Sequence, residues 1–195
     1  MKQVEFRTRL LVLRPLRARD YKQWFDACVH SLPAKSKWDA GPKFVRQCTR
    51  AQFMKLLARH RAWAKQDDCY WFAVFAKKSG ALIGFIDFDI FVRGTHQFAN
   101  FGYQIFNRHW GHGYGQESAA AGLRIGFQQL RLNRLEAAIN LDNKKSIRLV
   151  AAIGMRREGI KKRYWFEHGA WVDHLIYVAN PEDVGLKATR PLSVR

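Results

Sequence analysis

Short apolar runs and amphipathic stretches alternate along the chain, and their two periodicities separate strands from helices. Residues 10–16, Leu-Leu-Val-Leu-Arg-Pro-Leu, are an apolar run closed by Pro15 and predict a strand. Asp20 then precedes Tyr21, Trp24, Phe25 and Cys28 at helical spacing, with the acid near the start. Residues 31–50 hold two prolines, a glycine and several cations and read mostly as loop. Phe53, Leu56, Leu57 and Trp63 mark a second helix over 51–64. Residues 70–76 predict a buried strand, Lys77-Lys78-Ser79-Gly80 a turn, and 81–92 the return strand of a hairpin. Phe101, Tyr103 and Ile105 alternate within a further strand over 98–106.

The segment Trp110-Gly111-His112-Gly113-Tyr114-Gly115-Gln116-Glu117 leads into a helix to about residue 130, with Leu123, Phe127 and Leu130 on one face. Leu135, Ala137 and Ile139 alternate with polar or small residues as in a half-buried strand. Residues 144–153 predict a helix stopped by Gly154. Residues 162–166 and 171–178 predict a hairpin turning at His168-Gly169. Antiparallel hairpins combined with one strand–helix–strand unit give an α+β, or mixed α/β, class. We expect a single domain over 1–195, with a core of about 8–180 and a basic tail from about 186 to 195.

Composition narrows the class. Of 195 residues, 48% are hydrophobic and 26% charged, which is globular and argues against a disordered or fibrous chain. The three cysteines, Cys28, Cys48 and Cys69, are far apart and have no metal-finger spacing, so neither a disulfide framework nor a structural zinc is expected. No long apolar span and no secretory pattern is read, and the expected setting is the cytoplasm. Net charge is +18 and unevenly spread. Residues 1–65 hold 16 Lys and Arg against 4 Asp and Glu, residues 66–130 hold 5 against 5, and the remainder 13 against 7. Such asymmetry points to a polyanionic partner.

A strand entering a glycine-rich turn and then a helix is built to hold anions. The first amides of a helix lack internal partners, and its dipole favours negative charge there. Gly111, Gly113 and Gly115 allow close backbone approach. The spacing is G-x-G-x-G rather than that of a dinucleotide fold, and the Lys-Ser/Thr ending of a nucleotide-hydrolysing loop is missing. Asn143-Lys144-Lys145-Ser146 opens the next helix, with two side chains suited to capping. One strand separates these helices, so both N-termini are expected at the same end of the sheet. The pair His109 and His112 lacks a third ligand at a fitting position, and no metal is expected.

These features resemble the GNAT acyltransferase superfamily over roughly residues 8–180. Within it the chain is similar to the RimJ/RimL group of ribosomal-protein N-terminal alanine acetyltransferases, more closely to RimJ. The resemblance is carried by Leu11-Val12-Leu13-Arg14-Pro15-Leu16, Gly84-Phe85-Ile86, Val92-Arg93-Gly94, Gly102-Tyr103-Gln104-Ile105, Trp110 to Gly115, Asn143 to Ser146, and Gly159 with Asp173. It implies an acyl-CoA N-acyltransferase fold, with a mostly antiparallel twisted sheet flanked by helices and splayed where acetyl-CoA binds as co-substrate. Pyrophosphate would meet Trp110, Gly111, His112, Gly113, Tyr114, Gly115 and Gln116. Trp110 stands where the family has Arg or Gln, so a polar side chain that helps fix the loop is expected to be lost. The strand edge at Gln104, Ile105 and Phe106 would pair with pantetheine, and a backbone amide there would polarise the thioester carbonyl. Asn143 would contact the cofactor, and Ser146 matches the position thought to protonate the departing thiolate.

The implied reaction is direct acetyl transfer to an amine. An α-amino group, with a pKa of ~7.7–8.0, is partly neutral near pH 7, whereas a lysine at ~10.4 is not, which favours a protein N-terminus as acceptor. Asp89 is our candidate base, with Asp87 on the same strand face and Glu167 and Asp173 on the last hairpin as alternatives. Where RimL has its proposed catalytic glutamate, this chain has Trp165. Trp38, Trp63 and Trp165 are candidates to wall the acceptor groove. An antibiotic or polyamine acceptor, or a non-catalytic RNA-binding role on the same fold, are the alternatives. Contact with ribosomal RNA through the basic surface is the expected use of the charge, and no membrane contact is expected.

Overall fold

The computed structural model describes residues 5–39, 41–188 and 190, so most of the expected basic tail over 186–195 lies outside the described residues. The strands are β1 (Phe6–Arg7), β2 (Leu11–Arg14), β3 (Cys69–Ala76), β4 (Leu82–Val92), β5 (Phe98–Ile105), β6 (Arg134–Asn140), β7 (Arg156–Glu167) and β8 (Ala170–Ala179). The helices are α1 (Tyr21–Val29), α2 (Arg50–Gln66), α3 (Tyr114–Gln128) and α4 (Lys144–Ala152). The strands form one mixed sheet in the order β1-β2-β3-β4-β5-β6-β8-β7. β1, β2 and β3 pair antiparallel in sequence, as do β6 with β8 and β7 with β8. β5 pairs parallel with β6 over Phe98–Asn100 against Arg134–Glu136. β6 continues to Asn140, opposite His174 of β8, so the parallel pair opens after three residues.

The chain divides into two compact units, Met1–Asp87 with Tyr103–Ser118, and Phe88–Gly102 with Ala119–Arg195. In the first unit, Trp24, Phe53, Leu57, Ala73 and Phe75 build a core shared by α1, α2 and β3. The Trp24 and Phe53 rings meet at 5.2 Å. Asp20, the acid read at the helix start, is buried. Its carboxylate accepts from both Arg14 guanidinium nitrogens, at 2.6 and 2.8 Å, and from the Arg17 amide at 2.7 Å. Burial pushes this carboxyl's pKa up, but Arg14 and the amide outweigh it and hold it below the usual carboxylate range. Thr49 and Gln52 cap α2 reciprocally through side chain and backbone.

In the second unit, Leu123, Ile125 and Phe127 of α3 are buried, as are Leu135, Ala137 and Ile139 of β6. Gly126 permits that packing, since a Cβ there would lie 2.8 Å from Leu135 Cδ1. Gly154 takes the left-handed φ of +90° expected of a helix stop. Two strand limits differ from the sequence reading. β1, two residues long, carries no periodic signal. β7 starts at Arg156 rather than 162, because partners on β8, from Arg156 opposite Val178 onward, organise a polar segment with no alternation of its own.

α2 lies against β3 through His60, whose ring stacks on Trp71 at 5.1 Å and on Trp63 at 6.0 Å. Burial, with Arg59 adding repulsion, lowers its pKa to about 4. The unfolded chain therefore binds a proton near pH 6.5 that the folded chain refuses until about pH 4. The stability associated with neutral His60 is complete above pH 6.5 and declines as pH falls from there to about 4. His60→Phe, which keeps the stack, should flatten the fall in thermal midpoint across this window. An unchanged pH dependence would remove His60 from that role.

Candidate functional site

In the first unit the site begins at the end of β5. The Phe106 amide donates to the Ile83 carbonyl at 2.9 Å. Along an extended strand successive residues face opposite edges, so Ile105 turns its main-chain groups away from β4. The expected donor strand edge at Gln104, Ile105 and Phe106 thus divides by residue. The Phe106 amide is engaged, and Ile105 is the residue whose amide points to the other edge. Gly84 allows the approach: a Cβ there would lie 2.1 Å from the Gln104 carbonyl oxygen and 3.0 Å from Ile105 Cα.

The chain then leaves the sheet through a buried asparagine that the sequence reading missed. Asn107 donates to the carbonyls of Leu32 and Pro33, at 3.0 and 2.9 Å, and to Asp39 at 2.8 Å, and accepts from the Leu32 amide at 3.2 Å. It ties the 32–39 loop to the start of the glycine segment. Trp110 follows, and its indole N–H donates to the Ile105 carbonyl at 2.7 Å. The loss expected from replacing Arg or Gln is corrected here, since this tryptophan itself supplies a polar contact that fixes the loop. Lys35 lies over its ring at 5.8 Å.

Gly111 and Gly113 take φ of +82° and +75°, in the left-handed region that glycine enters without steric cost. His112 Nδ1 lies 2.9 Å from the Trp110 carbonyl, which can only accept, so that nitrogen carries the proton; the ring stacks on Tyr114 at 5.5 Å. Burial, then Arg108 and His112, hold the His109 pKa below the usual imidazole value. Gly111, His112, Gly113 and Gln116 are exposed, and Tyr114 and Gly115 partly so. The first intrahelical bond of α3 runs from the Glu117 amide to the Gly113 carbonyl at 3.1 Å. The amides of Tyr114, Gly115 and Gln116 therefore precede the helical ladder, as an anion site requires. Glu117 anchors this end: it accepts from Thr8 Oγ1 at 2.5 Å and from the Leu10 amide at 2.6 Å. Its first-turn position was legible as helix-start chemistry, but not its partners more than a hundred residues away.

The second unit holds the remaining candidates. Asn143 caps α4, its side-chain oxygen accepting from the Ser146 amide at 3.2 Å. Asn143 and Ser146 are thus brought together at the helix start, three residues beyond the end of β6. There Asn140 donates to Glu167 at 2.8 Å, and the buried His174 places Nε2 3.3 Å from the other Glu167 oxygen. Asn140 and His174 were not anticipated, because strand register rather than sequence spacing makes them neighbours. Trp165 packs beside His174 with ring centroids 6.1 Å apart. Asp173 accepts from Lys162 at 2.7 Å and from the Arg163 amide at 2.8 Å, and these, Lys162 foremost, hold its pKa low. A carboxylate so held is a poor proton acceptor. Asp87 and Asp89 are both half-buried on β4. Among the described residues no group of three or more His, Cys, Asp or Glu side chains could hold a metal ion, and no helix is long and apolar enough to cross a membrane.

Comparison with known proteins agrees with this geometry. The family model described as an acetyltransferase (GNAT) domain matches residues 10–156. The chain is 29% identical to "Probable N-acetyltransferase YjcK" of Bacillus subtilis over 66% of its own length and 72% of that protein. It is 26% identical to the [ribosomal protein uS5]-alanine N-acetyltransferase of Escherichia coli over 92% of both chains. Among solved structures, RimJ of Mycobacterium smegmatis in complex with CoA-disulfide superposes with a TM-score of 0.74 at 25% identity, covering 91% of this chain and 85% of that one.

Gly84 supplies the sharpest local test. Gly84→Ala should displace the end of β5 and lower the thermal midpoint, because the added methyl meets backbone rather than a flexible side chain. Amide exchange of Gln104–Phe106 should rise. Unaltered exchange would show that the close approach is not required.

Proposed function

This chain belongs to the GNAT acetyltransferase family, and from that premise we propose that it moves the acetyl group of acetyl-CoA to the N-terminal α-amine of a ribosomal protein. The observation that carries the reading is the exposed bend over 110–116, with two left-handed glycines leading into helix amides that precede the α3 ladder. Those donors suit a pyrophosphate. The co-substrate supplies an activated thioester. The Ile105 amide, facing away from β4, would stabilise negative charge developing on its carbonyl oxygen. Asn143 would contact the co-substrate, and the Ser146 hydroxyl would return a proton to the departing sulfur. The acceptor class rests on the E. coli relative, whose name gives a ribosomal-protein alanine, and on the amine's own pKa, which makes an α-amine easier to deprotonate than a lysine.

The proton must leave the amine through a carboxylate or a water beside one. Asp173 is unsuited, its pKa being held low by Lys162, which leaves Asp89, Asp87 and Glu167 as candidate acceptors of that proton.

Three measurements test this reading. Gly113→Val forces a β-branched residue to φ +75° and should raise the KM for acetyl-CoA at least about tenfold with an unchanged circular dichroism spectrum. Assayed by mass gain on peptides beginning with Ala or Ser, beside free lysine, spermidine and an aminoglycoside, the wild type should prefer the peptides. Preference for spermidine or the aminoglycoside would overturn the acceptor, and the absence of any CoA release would overturn the enzyme reading. Of Asp89→Asn, Asp87→Asn and Glu167→Gln, the variant that removes the base should lose roughly 10²–10⁴-fold in kcat, with activity recovering at alkaline pH. Near-normal profiles in all three would leave deprotonation to the amine and water.

A further inference from the structure

The most strongly basic stretch of the described surface is α2 with the segment that precedes it. Residues 31–66 hold nine Lys and Arg (Lys35, Lys37, Lys43, Arg46, Arg50, Lys55, Arg59, Arg61 and Lys65) against a single acid, Asp39. Asp39 is buried and spent inside the fold on Asn107 and the Lys35 amide. All nine cationic residues are exposed. Apart from Lys37, none of them is in an ion pair among the described residues.

A solvated helix face ordinarily intersperses both signs. α2 instead places like charges four residues apart twice, at Lys55 with Arg59 and at Arg61 with Lys65, and each such pair disfavours the helix. Arg50 occupies the first turn, where the helix dipole disfavours a cation, and no acid is there to offset it. Each of these features works against the helix by itself, and an anion partner would offset them. Exposed apolar groups lie among the cations: Phe44, with Arg46 5.3 Å from its ring centroid, Val45 and Met54. The apolar side of α2, Phe53 and Leu57, is consumed by the core and cannot enter a membrane. That disfavours a lipid surface, which such a helix would bind through its apolar face.

We propose that the exposed face of α2 and the 43–50 segment dock on the phosphate backbone of RNA, with Phe44 available to stack on an unpaired base. A 17-residue helix spans about 25 Å, enough to follow several consecutive phosphates. The choice of RNA over other nucleic acid rests on the ribosomal acceptor proposed above; the phosphate recognition does not. The surface would hold the enzyme beside its acceptor while the glycine bend serves the co-substrate.

The test uses the full chain and a fluorescent single-stranded RNA, titrated by polarisation at several potassium chloride concentrations. Wild type should bind at low salt with a steep salt dependence. K55Q/R59Q/R61Q/K65Q should weaken binding at least about tenfold and flatten the log–log salt slope by about 0.7 for each phosphate no longer neutralised. Its thermal midpoint should stay level or rise, since repulsion is removed, and acetylation of a free peptide should be unchanged. The conservative K55R/R59K/R61K/K65R should bind like wild type, and Phe44→Ala should weaken single-stranded more than duplex RNA. Wild-type affinity in the glutamine variant, no binding at low salt, or tighter binding to polyglutamate or to phosphatidylglycerol vesicles would each overturn the proposal. Loss of RNA binding with peptide acetylation intact separates this surface from the acetyltransferase reading. Failure of acetylation with RNA binding intact would instead fault that reading.

Discussion

One hydrogen bond decides which way the end of β5 turns its main-chain groups. The Phe106 amide closes β5 onto β4 through Ile83, and strand alternation then commits Ile105 to the opposite side. The bond is possible only because Gly84 has no side chain to hold the Gln104 carbonyl away. The Trp110 indole takes up the Ile105 carbonyl. The strand end and the glycine bend are therefore set by the same few atoms, and a loop of high intrinsic freedom leaves the sheet in a defined direction.

Rigidity around the bend is supplied by polar groups rather than by apolar packing. Asn107 fastens it to the 32–39 loop, and Glu117 fastens the start of α3 to Thr8 and Leu10. Both side chains spend their hydrogen bonds on groups distant in sequence, and polar groups held away from water cost more to leave unpaired than they gain when paired. The bend itself stays open, with its glycines exposed. A phosphate site needs this combination of donors that cannot collapse onto the protein and a frame that does not move with them.

The charge of the molecule is also unevenly paired. Carboxylates of the second unit are matched to cations, as in Arg134 with Glu158 and Lys161 with the buried Glu136. The α2 region of the first unit is left unmatched. Net charge alone does not distinguish these cases, because a paired cation and an unpaired one count equally in composition.

Much of the fold was legible in sequence because it follows local periodicity. The strands over 70–76 and 81–92, the glycine segment opening a helix, and the stop at Gly154 each declare themselves within a few residues. The left-handed glycines and the capping pair Asn143 and Ser146 are likewise local, and the structure keeps them where the spacing put them. Tertiary structure alone decided the rest. Register across β6 and β8 made Asn140, Glu167 and His174 neighbours, the pairing at Ile83 turned the Phe106 amide toward β4 and the Ile105 amide away from it, and Trp110 turned an apparent loss into a hydrogen bond. The physical reason is the same throughout: backbone conformation answers to near neighbours in sequence, whereas polar partners and strand edges are settled between segments that only folding brings together.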